Sequence, residues 1–192
     1  MAASGWRSAS GWSRWTIAAW GTLLFACAVV VVLSGTAAAL RNTRPATALQ
    51  ILPSDARALT RRADQTLLVS KGEAADLASA RGYAQEALAH DATLPAAWRV
   101  LALTQQSSLG ESAKLLQFAQ TLSRRDVPTQ LALLEMKVEQ GDIAGALHHY
   151  DVILRISTTY DAVLFPVLAG AIAEPQILQA LSRRSRQSPT CW

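Results

Sequence analysis

The longest apolar segment of the chain lies near its N-terminus. Residues 15–40 contain no charged side chain, and the centre of this segment reads LLFACAVVVVL. A helix of about 20 apolar residues is long enough to cross the hydrocarbon layer of a membrane. The pattern therefore predicts a transmembrane helix, a signal anchor, over residues 15–40. A short N-terminal tail, residues 1–14, precedes it.

The same segment has two other interpretations. Ala37, Ala38 and Ala39 are small residues of the kind found at signal-peptide cleavage sites, so residues 1–39 are also a candidate signal peptide. However, the apolar segment is longer than the roughly 7–15 residues of such signals, which favours a retained anchor. The residues before Cys27 loosely resemble a lipoprotein signal, but the chain stays apolar or small after Cys27, where a mature lipoprotein would turn polar.

The charges beside the anchor do not decide its orientation. Arg7 and Arg14 precede the segment, and Arg41 and Arg44 follow it, so neither side has an excess of basic residues. A short N-terminal tail on a signal anchor usually stays in the cytoplasm. We therefore expect a single-pass protein of a bacterial inner membrane, with its C-terminal domain in the periplasm.

The remainder of the chain has the spacing of helices. Residues 41–53 contain two prolines and are predicted to form a linker, after which Ser54 is a candidate helix cap. Over residues 54–186 apolar positions recur at helical intervals, and no segment alternates as a strand does. The chain is therefore predicted to be all-α. The residues that divide it into helices are Gly72, Pro95, Gly110, Pro128, Gly141 and Pro175.

Proline and capping residues predict where several helices begin or break. Pro95 and Pro128 suit the first turn of a helix, where proline has no hydrogen bond to lose. The motif Thr158-x-x-Asp161 matches a capping box. Pro166 lies inside an apolar helical pattern, so it should kink or shorten that helix.

Two helical patterns resemble the tetratricopeptide repeat. Trp98, Leu101 and Ala102 form a W-x2-L-A pattern similar to the start of the repeat's first helix, and Ala146-x3-Tyr150 is similar to the small residue and ring of its second helix. Ala146-Leu147 and Ala180-Leu181 are 34 residues apart, which is the length of that repeat. The other residues that carry the resemblance are Ala80, Ala87, Leu147 and Ala180.

The resemblance is to a degenerate tetratricopeptide-repeat protein and covers residues 54–186. It implies a right-handed α-solenoid of stacked helix pairs, with these residues packed between helices. It also implies a concave groove that receives a peptide or helix of another protein. Some members of the family grip a peptide with basic residues of their inner helices, which makes Arg99 a candidate partner contact.

The segment GDIAGALHHYDVILR, residues 141–155, raises the question of a metal or acid–base site. Adjacent residues of a helix point about 100° apart, so His148 and His149 do not share a face and are not expected to hold one ion. The helical spacing instead predicts a flank or outer face for His148, Asp151 and Arg155. The residues predicted to face the core are Ile143, Ala146, Leu147, Tyr150, Ile153 and Leu154.

Charge and motif content exclude several functions. After residue 40 the chain has 16 basic and 14 acidic residues, a balance that argues against a nucleic-acid surface. The sequence has no phosphate-binding loop, nucleophile elbow or zinc-protease motif. Cys27 and Cys191 lie in different environments, so a disulfide between them is not expected. We therefore predict no catalytic, cofactor or metal residue, and no enzyme activity.

One group of basic residues lies near the C-terminus. Arg183, Arg184 and Arg186 suit a solvated helix end, since a helix dipole favours basic residues there. The alternative is contact with acidic lipid head groups or with carboxylates of a partner. The last segment, residues 187–192, is predicted to be a tail.

These observations predict a membrane-anchored adaptor or scaffold that binds another protein and the bilayer. Analogy with the repeat family suggests a cell-envelope, secretion or polysaccharide-export assembly. The alternatives are a structural subunit of a larger membrane complex, and a helical enzyme that uses the histidine pair or the acids Glu135 and Glu139.

Overall fold

A computed structural model describes residues 10–70, 72–105 and 109–187, and within these ranges all regular structure is helical. The all-α prediction is therefore confirmed for them. Arg7 and Cys191 lie outside the described residues. The helices are α1 (Ser10–Leu40), α2 (Pro45–Ile51), α3 (Ala56–Val69), α4 (Ala74–His90), α5 (Pro95–Leu103), α6 (Leu109–Leu122), α7 (Val127–Glu139), α8 (Ile143–Ile156), α9 (Asp161–Ala171) and α10 (Pro175–Gln187), with a 3₁₀ turn at Thr158–Tyr160.

Helix α1 has the length and composition of a membrane span over Ala18–Leu40, 23 residues, as the sequence predicts. Its apolar side chains are not covered by the rest of the chain, and Phe25 is 73% exposed. The hydroxyls of Thr22 and Ser34 donate to carbonyls of the preceding turn of the helix. A helix in lipid needs this arrangement, because its polar groups have no water to bond.

Residues 41–53 are more ordered than a plain linker. They contain α2, which begins at Pro45, a first-turn position where the missing N–H costs nothing. Ala48 of α2 is fully buried, and the helix contacts both α1 and α3. Helix α1 is therefore joined to the following helices by packed structure.

The helix after this junction is capped by Asp55, so the prediction of a Ser54 cap is wrong. Asp55 Oδ1 accepts hydrogen bonds from the N–H groups of Arg57 and Ala58 at 3.0 and 3.2 Å. Its Oδ2 accepts two more from Arg41, from Nε at 3.0 Å and from Nη2 at 2.8 Å. One carboxylate thus caps α3 and binds the residue that follows α1.

Helices α3 to α8 associate as pairs. The most extensive contacts join α3 to α4, α5 to α6, and α7 to α8. Contacts of α4 with α5 and of α6 with α7 connect successive pairs, and α5 also contacts both α3 and α7. Fully buried alanines such as Ala63, Ala80 and Ala84 lie between α3 and α4 and let the helices approach closely.

Some predicted helix signals are confirmed and others are wrong. Pro95 and Pro128 lie in the first turns of α5 and α7, as predicted. Gly110, predicted to separate helices, is the second residue of α6, so the separation of α5 from α6 falls just before it. The capping box does not form: Thr158 belongs to the 3₁₀ turn and Asp161 already begins α9, without a side-chain cap at either start.

The C-terminal helices bend away from α8. The segment Thr158–Ala171 makes an angle of 113° with α8. Helix α9 continues through Pro166 to Ala171, so the sharp bend of this region precedes the helix that contains the proline. Helix α10 follows and contacts α8.

Candidate functional site

The residues expected to pack between repeat helices lie at contacts between helices, beginning with α5. Trp98 is half-buried; its Nε1 donates to the carbonyl of Ala92 at 2.8 Å, and its ring meets Phe118 of α6 edge to face at 4.9 Å. Leu101 packs against the cluster of α3 and α4 alanines. Ala80 and Ala87 of α4 and Ala102 of α5, which were also expected to pack, are buried.

The expected residues of α8 pack against the C-terminal helices. Tyr150 is 7% exposed, and its hydroxyl donates to the carbonyl of Leu164 in α9. Ala146 and Leu147 are also buried. Ala180 of α10 is half-buried. No sequence pattern identified Phe118 and Leu164 as the partners of Trp98 and Tyr150, since both are distant in the chain.

Arg99 is buried inside the chain. Its Nη2 lies 3.0 Å from Asp64 Oδ2, and its Nε lies 3.5 Å from Asp126 Oδ2. Asp126 also caps α7 by accepting from the N–H of Thr129 at 3.1 Å. Burial raises the pKa of Asp64, and the Arg99 charge opposes that shift. Arg99 therefore connects α3, α5 and the start of α7; its contact with a partner protein stays a prediction.

The two histidines have different environments. His148 is exposed, whereas His149 is 5% exposed, with Nδ1 2.8 Å from Gln130 Oε1. The Gln130 amide donates through Nε2 to the carbonyl of Arg124 at 3.1 Å, so its oxygen faces the ring and His149 Nδ1 carries the proton.

Burial makes His149 a neutral side chain. Desolvation lowers its pKa to about 4; the charges of His148 and Lys137 act in the same direction and Asp142 opposes them. A histidine with this pKa stays neutral and does not change its protonation state near neutral pH, so its role is to join α8 to Gln130 of α7. Among the described residues, no group of three or more His, Cys, Asp or Glu side chains is placed to hold a metal ion.

A cleft of about 580 Å³ lies between the C-terminal end of α6 and one face of α8. Arg124 and Arg125, both exposed, enter it from the α6–α7 turn, and Arg155 enters it from α8. Arg155 also binds Asp151 at 2.9 Å. No carboxylate is among the lining residues, which are Gln120, Thr121, Arg124, Arg125, Gln130, His148, Val152, Arg155 and Ile156.

This arginine cleft has the chemistry of a carboxylate-binding surface. A guanidinium presents a planar fork of N–H donors that matches the two oxygens of a carboxylate. Sequence reasoning missed the cleft because Arg124 and Arg125 lie in the α6–α7 turn, whereas Arg155 lies about 30 residues later in α8. The one signal in the sequence was the Arg124-Arg125 pair, which falls between two helical patterns.

A second, apolar cleft of about 240 Å³ lies among α7, α8, α9 and α10. The predicted packing residues Ala146, Leu147 and Tyr150 form part of its wall, together with Val167 and Leu168 of α9. Its surface is apolar, so it offers contact area rather than hydrogen bonds.

Comparison with known proteins adds no relative. No family model, no curated protein and no solved structure matches this chain. The resemblance to the tetratricopeptide repeat therefore rests on the residues of this chain alone. Any function that the resemblance implies for this chain is a proposal.

Proposed function

We propose that this chain is a membrane-anchored adaptor that binds another protein through a tetratricopeptide-like domain. Helix α1 is the anchor, and α3 to α10 form the binding domain. The observation that carries the proposal is the arginine cleft, a concave surface with three arginines and no carboxylate among its lining residues. The partner it fits is a protein segment rich in Asp or Glu.

The contacts among α3 to α8 support a solenoid for this domain. Two short helices cannot bury their apolar faces alone, so each pair gains stability by stacking on the next. The contacts of α5 with α3, α4, α6 and α7 are those expected when consecutive pairs stack. In a tetratricopeptide array the first helices of the pairs, here α3, α5 and α7, line the concave groove for a partner peptide or helix. The arginine cleft lies on the side of the second helices, α6 and α8, so the partner site proposed here is separate from that groove.

The sequence chemistry supports a role in assembly. The described residues contain no cluster suited to a metal ion, and the buried histidine is neutral. By analogy with the repeat family, we place the adaptor in a cell-envelope, secretion or polysaccharide-export assembly of a bacterial inner membrane, with its domain in the periplasm. The choice of assembly rests on the family alone, and the periplasmic side rests on the short N-terminal tail before the anchor.

Site-specific photo-crosslinking of the full chain in its native membrane tests the proposal. A photoreactive residue at Thr121 or Val152, both of which line the arginine cleft, should capture one reproducible protein. The same residue at Glu86, an exposed position on α4, should not. Capture from Glu86 as efficient as capture from the cleft, or no capture from the cleft, would contradict the proposal.

A charge reversal distinguishes recognition by the arginine cleft from a general effect of the chain's charge on binding. Arg125→Glu should reduce capture from Thr121 at least roughly tenfold, because the new carboxylate repels an acidic segment. Arg81→Glu changes the charge equally at an exposed position of α4 and should leave capture unchanged. Equal losses from both variants would mean that the cleft does not recognise the partner.

A further inference from the structure

Helix α9 and the turn after it carry an apolar surface that the chain leaves open. Residues 162–173, here called the α9 patch, have no charged or hydrogen-bonding side chain. Leu164 is buried, Leu168 and Ala171 are half-buried, and the other nine of these twelve residues are exposed. The most exposed large side chains are those of Val163 at 62%, Phe165 at 53% and Val167 at 61%.

A continuous patch of this kind differs from scattered surface apolar residues. Single exposed apolar side chains are normal on a soluble domain, whereas a contiguous patch marks a surface that contacts something less polar than water. The α9 patch continues into the apolar cleft through Val167, Leu168 and Ala171. The open surface therefore includes one side of α9 and the wall beside it.

The patch is too short to cross a membrane. A span needs about 20 apolar residues, and an apolar segment of roughly 10–14 is typical of a core helix or of a segment at the membrane interface. The exposure of the patch excludes the core helix. The 113° bend between α8 and the segment Thr158–Ala171 prevents the two from forming one continuous span. The arrangement in lipid that fits this length lies parallel to the membrane plane.

The charges around the patch favour an anionic surface. Asp161 and Glu174 flank the patch, and α10 follows with Arg183, which is exposed, and then Arg184 and Arg186 in its sequence. Three arginines therefore follow two acids. An apolar segment followed in sequence by basic residues is typical of segments that lie at the interface of membranes with anionic lipids.

We propose that the α9 patch and the basic end of α10 are a second membrane contact, which docks this end of the domain on the bilayer that α1 crosses. The inference rests on the anchor of the proposed function. A single weak membrane signal gives marginal binding, but α1 keeps the domain beside the bilayer, so the second contact forms at high effective concentration. The contacts of α2 with both α1 and α3 join the first helix of the domain to the anchor without a long linker.

The test uses a fluorescent probe whose emission wavelength depends on its exposure to water. The full chain is prepared with Cys27→Ala and Cys191→Ser, and one cysteine is placed at Phe165 or, as a control, at Glu86. Each is labelled with an NBD group and assembled as one copy per lipid nanodisc. Both positions are exposed, so neither change removes core packing.

In nanodiscs that contain phosphatidylglycerol, the probe at residue 165 should emit at shorter wavelength and be quenched severalfold more by nitroxide-labelled lipids than the probe at residue 86. Arg183→Glu, and discs of phosphatidylcholine alone, should each weaken the quenching at residue 165. Equal, water-like emission at both positions would overturn the inference. A shielded probe at residue 165 that nitroxide lipids do not quench would also overturn it, because a protein surface would then cover the patch.

The same samples test the membrane contact of the α9 patch separately from the membrane insertion of α1. If the full chain fails to insert into nanodiscs, α1 is not a span and the proposed function fails with it. If the chain inserts but residue 165 stays in water, the anchor stands and the α9 patch is not a membrane contact.

Discussion

The guanidinium of Arg99 lies between two carboxylates, with Nη2 3.0 Å from Asp64 and Nε 3.5 Å from Asp126. The side chain of Arg99 is 9% exposed and that of Asp64 is 16% exposed, so both charges have lost most of their hydration. Such an ion pair adds little net stability over an apolar pair, but removal of one partner leaves the other charge buried and unpaired. Oδ1 of Asp64 already has no hydrogen-bond partner among the described residues, which increases its dependence on Arg99.

We predict that Arg99→Leu lowers the free energy of unfolding by about 3 kcal/mol, because Asp64 is left without its counter-charge. Asp64→Leu combined with Arg99→Leu should recover more than half of that loss. Urea unfolding of the full chain in detergent micelles, followed by circular dichroism, measures both. A double variant that is less stable than Arg99→Leu would contradict this account of the pair.

The neutral state of His149 makes stability depend on pH. Its pKa is about 4 in the folded chain against an ordinary value of 6.5, so the unfolded chain binds more protons between these values. The stability that depends on neutral His149 is therefore complete above pH 6.5 and is lost as the pH falls towards 4. We expect the free energy of unfolding to fall by roughly 2 kcal/mol between about pH 7.5 and about pH 5.

Two asparagine variants test whether His149 causes this pH dependence of stability. His149→Asn keeps a donor near the position of Nδ1 but does not titrate, so it should remove most of the pH dependence in this range. His148→Asn, at the exposed neighbour, should leave it in place. If both variants kept the full dependence, another group would be responsible for it.

At the scale of elements, the α7–α8 turn shows how a short sequence joins a helix pair. Gly141 has φ +70°, and its N–H donates to the carbonyl of Val138 at 3.0 Å. The N–H of Asp142 donates to the carbonyl of Lys137 at 2.9 Å, which completes a Schellman motif. Asp142 then caps α8 by accepting from the N–H of Gly145 at 2.9 Å. Two residues therefore end one helix and begin the next.

Lys137 strengthens the same turn. Its Nζ lies 2.9 Å from Asp142 Oδ2, and this hydrogen bond, with the one from Gly145, lowers the pKa of Asp142. The carboxylate stays ionised and able to cap the positive end of the α8 dipole over a wide pH range.

We predict that Gly141→Ala destabilises the chain by about 1–2 kcal/mol, because a Cβ disfavours the left-handed conformation. The added carbon would meet no atom within 4 Å, so the loss comes from the backbone alone. Gly82→Ala is the matched control, because Gly82 is exposed in the middle of α4 and an added Cβ there also meets no atom within 4 Å. Alanine at this helical position should raise the free energy of unfolding by roughly 0.5–1 kcal/mol. Urea unfolding measures both, and a stabilising Gly141→Ala would contradict the role of the turn.

At the scale of the whole molecule, the end of α1 is packed against the helices that follow it. Ala37 near the end of α1 is fully buried, and Arg41 binds Asp55 at the start of α3. Cleavage after Ala39 would remove Ala37 from these contacts and leave α2 without its neighbour on one side. The packing therefore favours the retained anchor over the cleaved signal peptide.

We predict that residues 1–39 remain attached to the mature protein and that it resists extraction from membranes by alkaline carbonate. Intact-mass measurement of the purified protein tests the first outcome, and fractionation tests the second. A product that begins at residue 40 and appears in the soluble fraction would show that the segment is a cleaved signal.

How much of this structure the sequence predicts depends on whether the interacting residues are close together or far apart along the chain. Helix starts at Pro95 and Pro128 follow from local geometry and were predictable. The cap of α3 was assigned to Ser54, although the fold uses Asp55 because that carboxylate also binds Arg41 across the junction. The arginine cleft and the Arg99 pairs join residues about 30 positions apart, and no local pattern signals such contacts.

The sequence by itself determined that this chain is helical and carries one apolar segment of spanning length, because both properties arise from hydrophobic spacing along neighbouring residues. The tertiary structure decided which polar groups are buried: His149 is covered and His148 is not, although they are adjacent and chemically identical. It also left the α9 patch exposed, where its composition alone would suggest a core helix. Burial depends on what the rest of the chain places against a residue, and that information is not local.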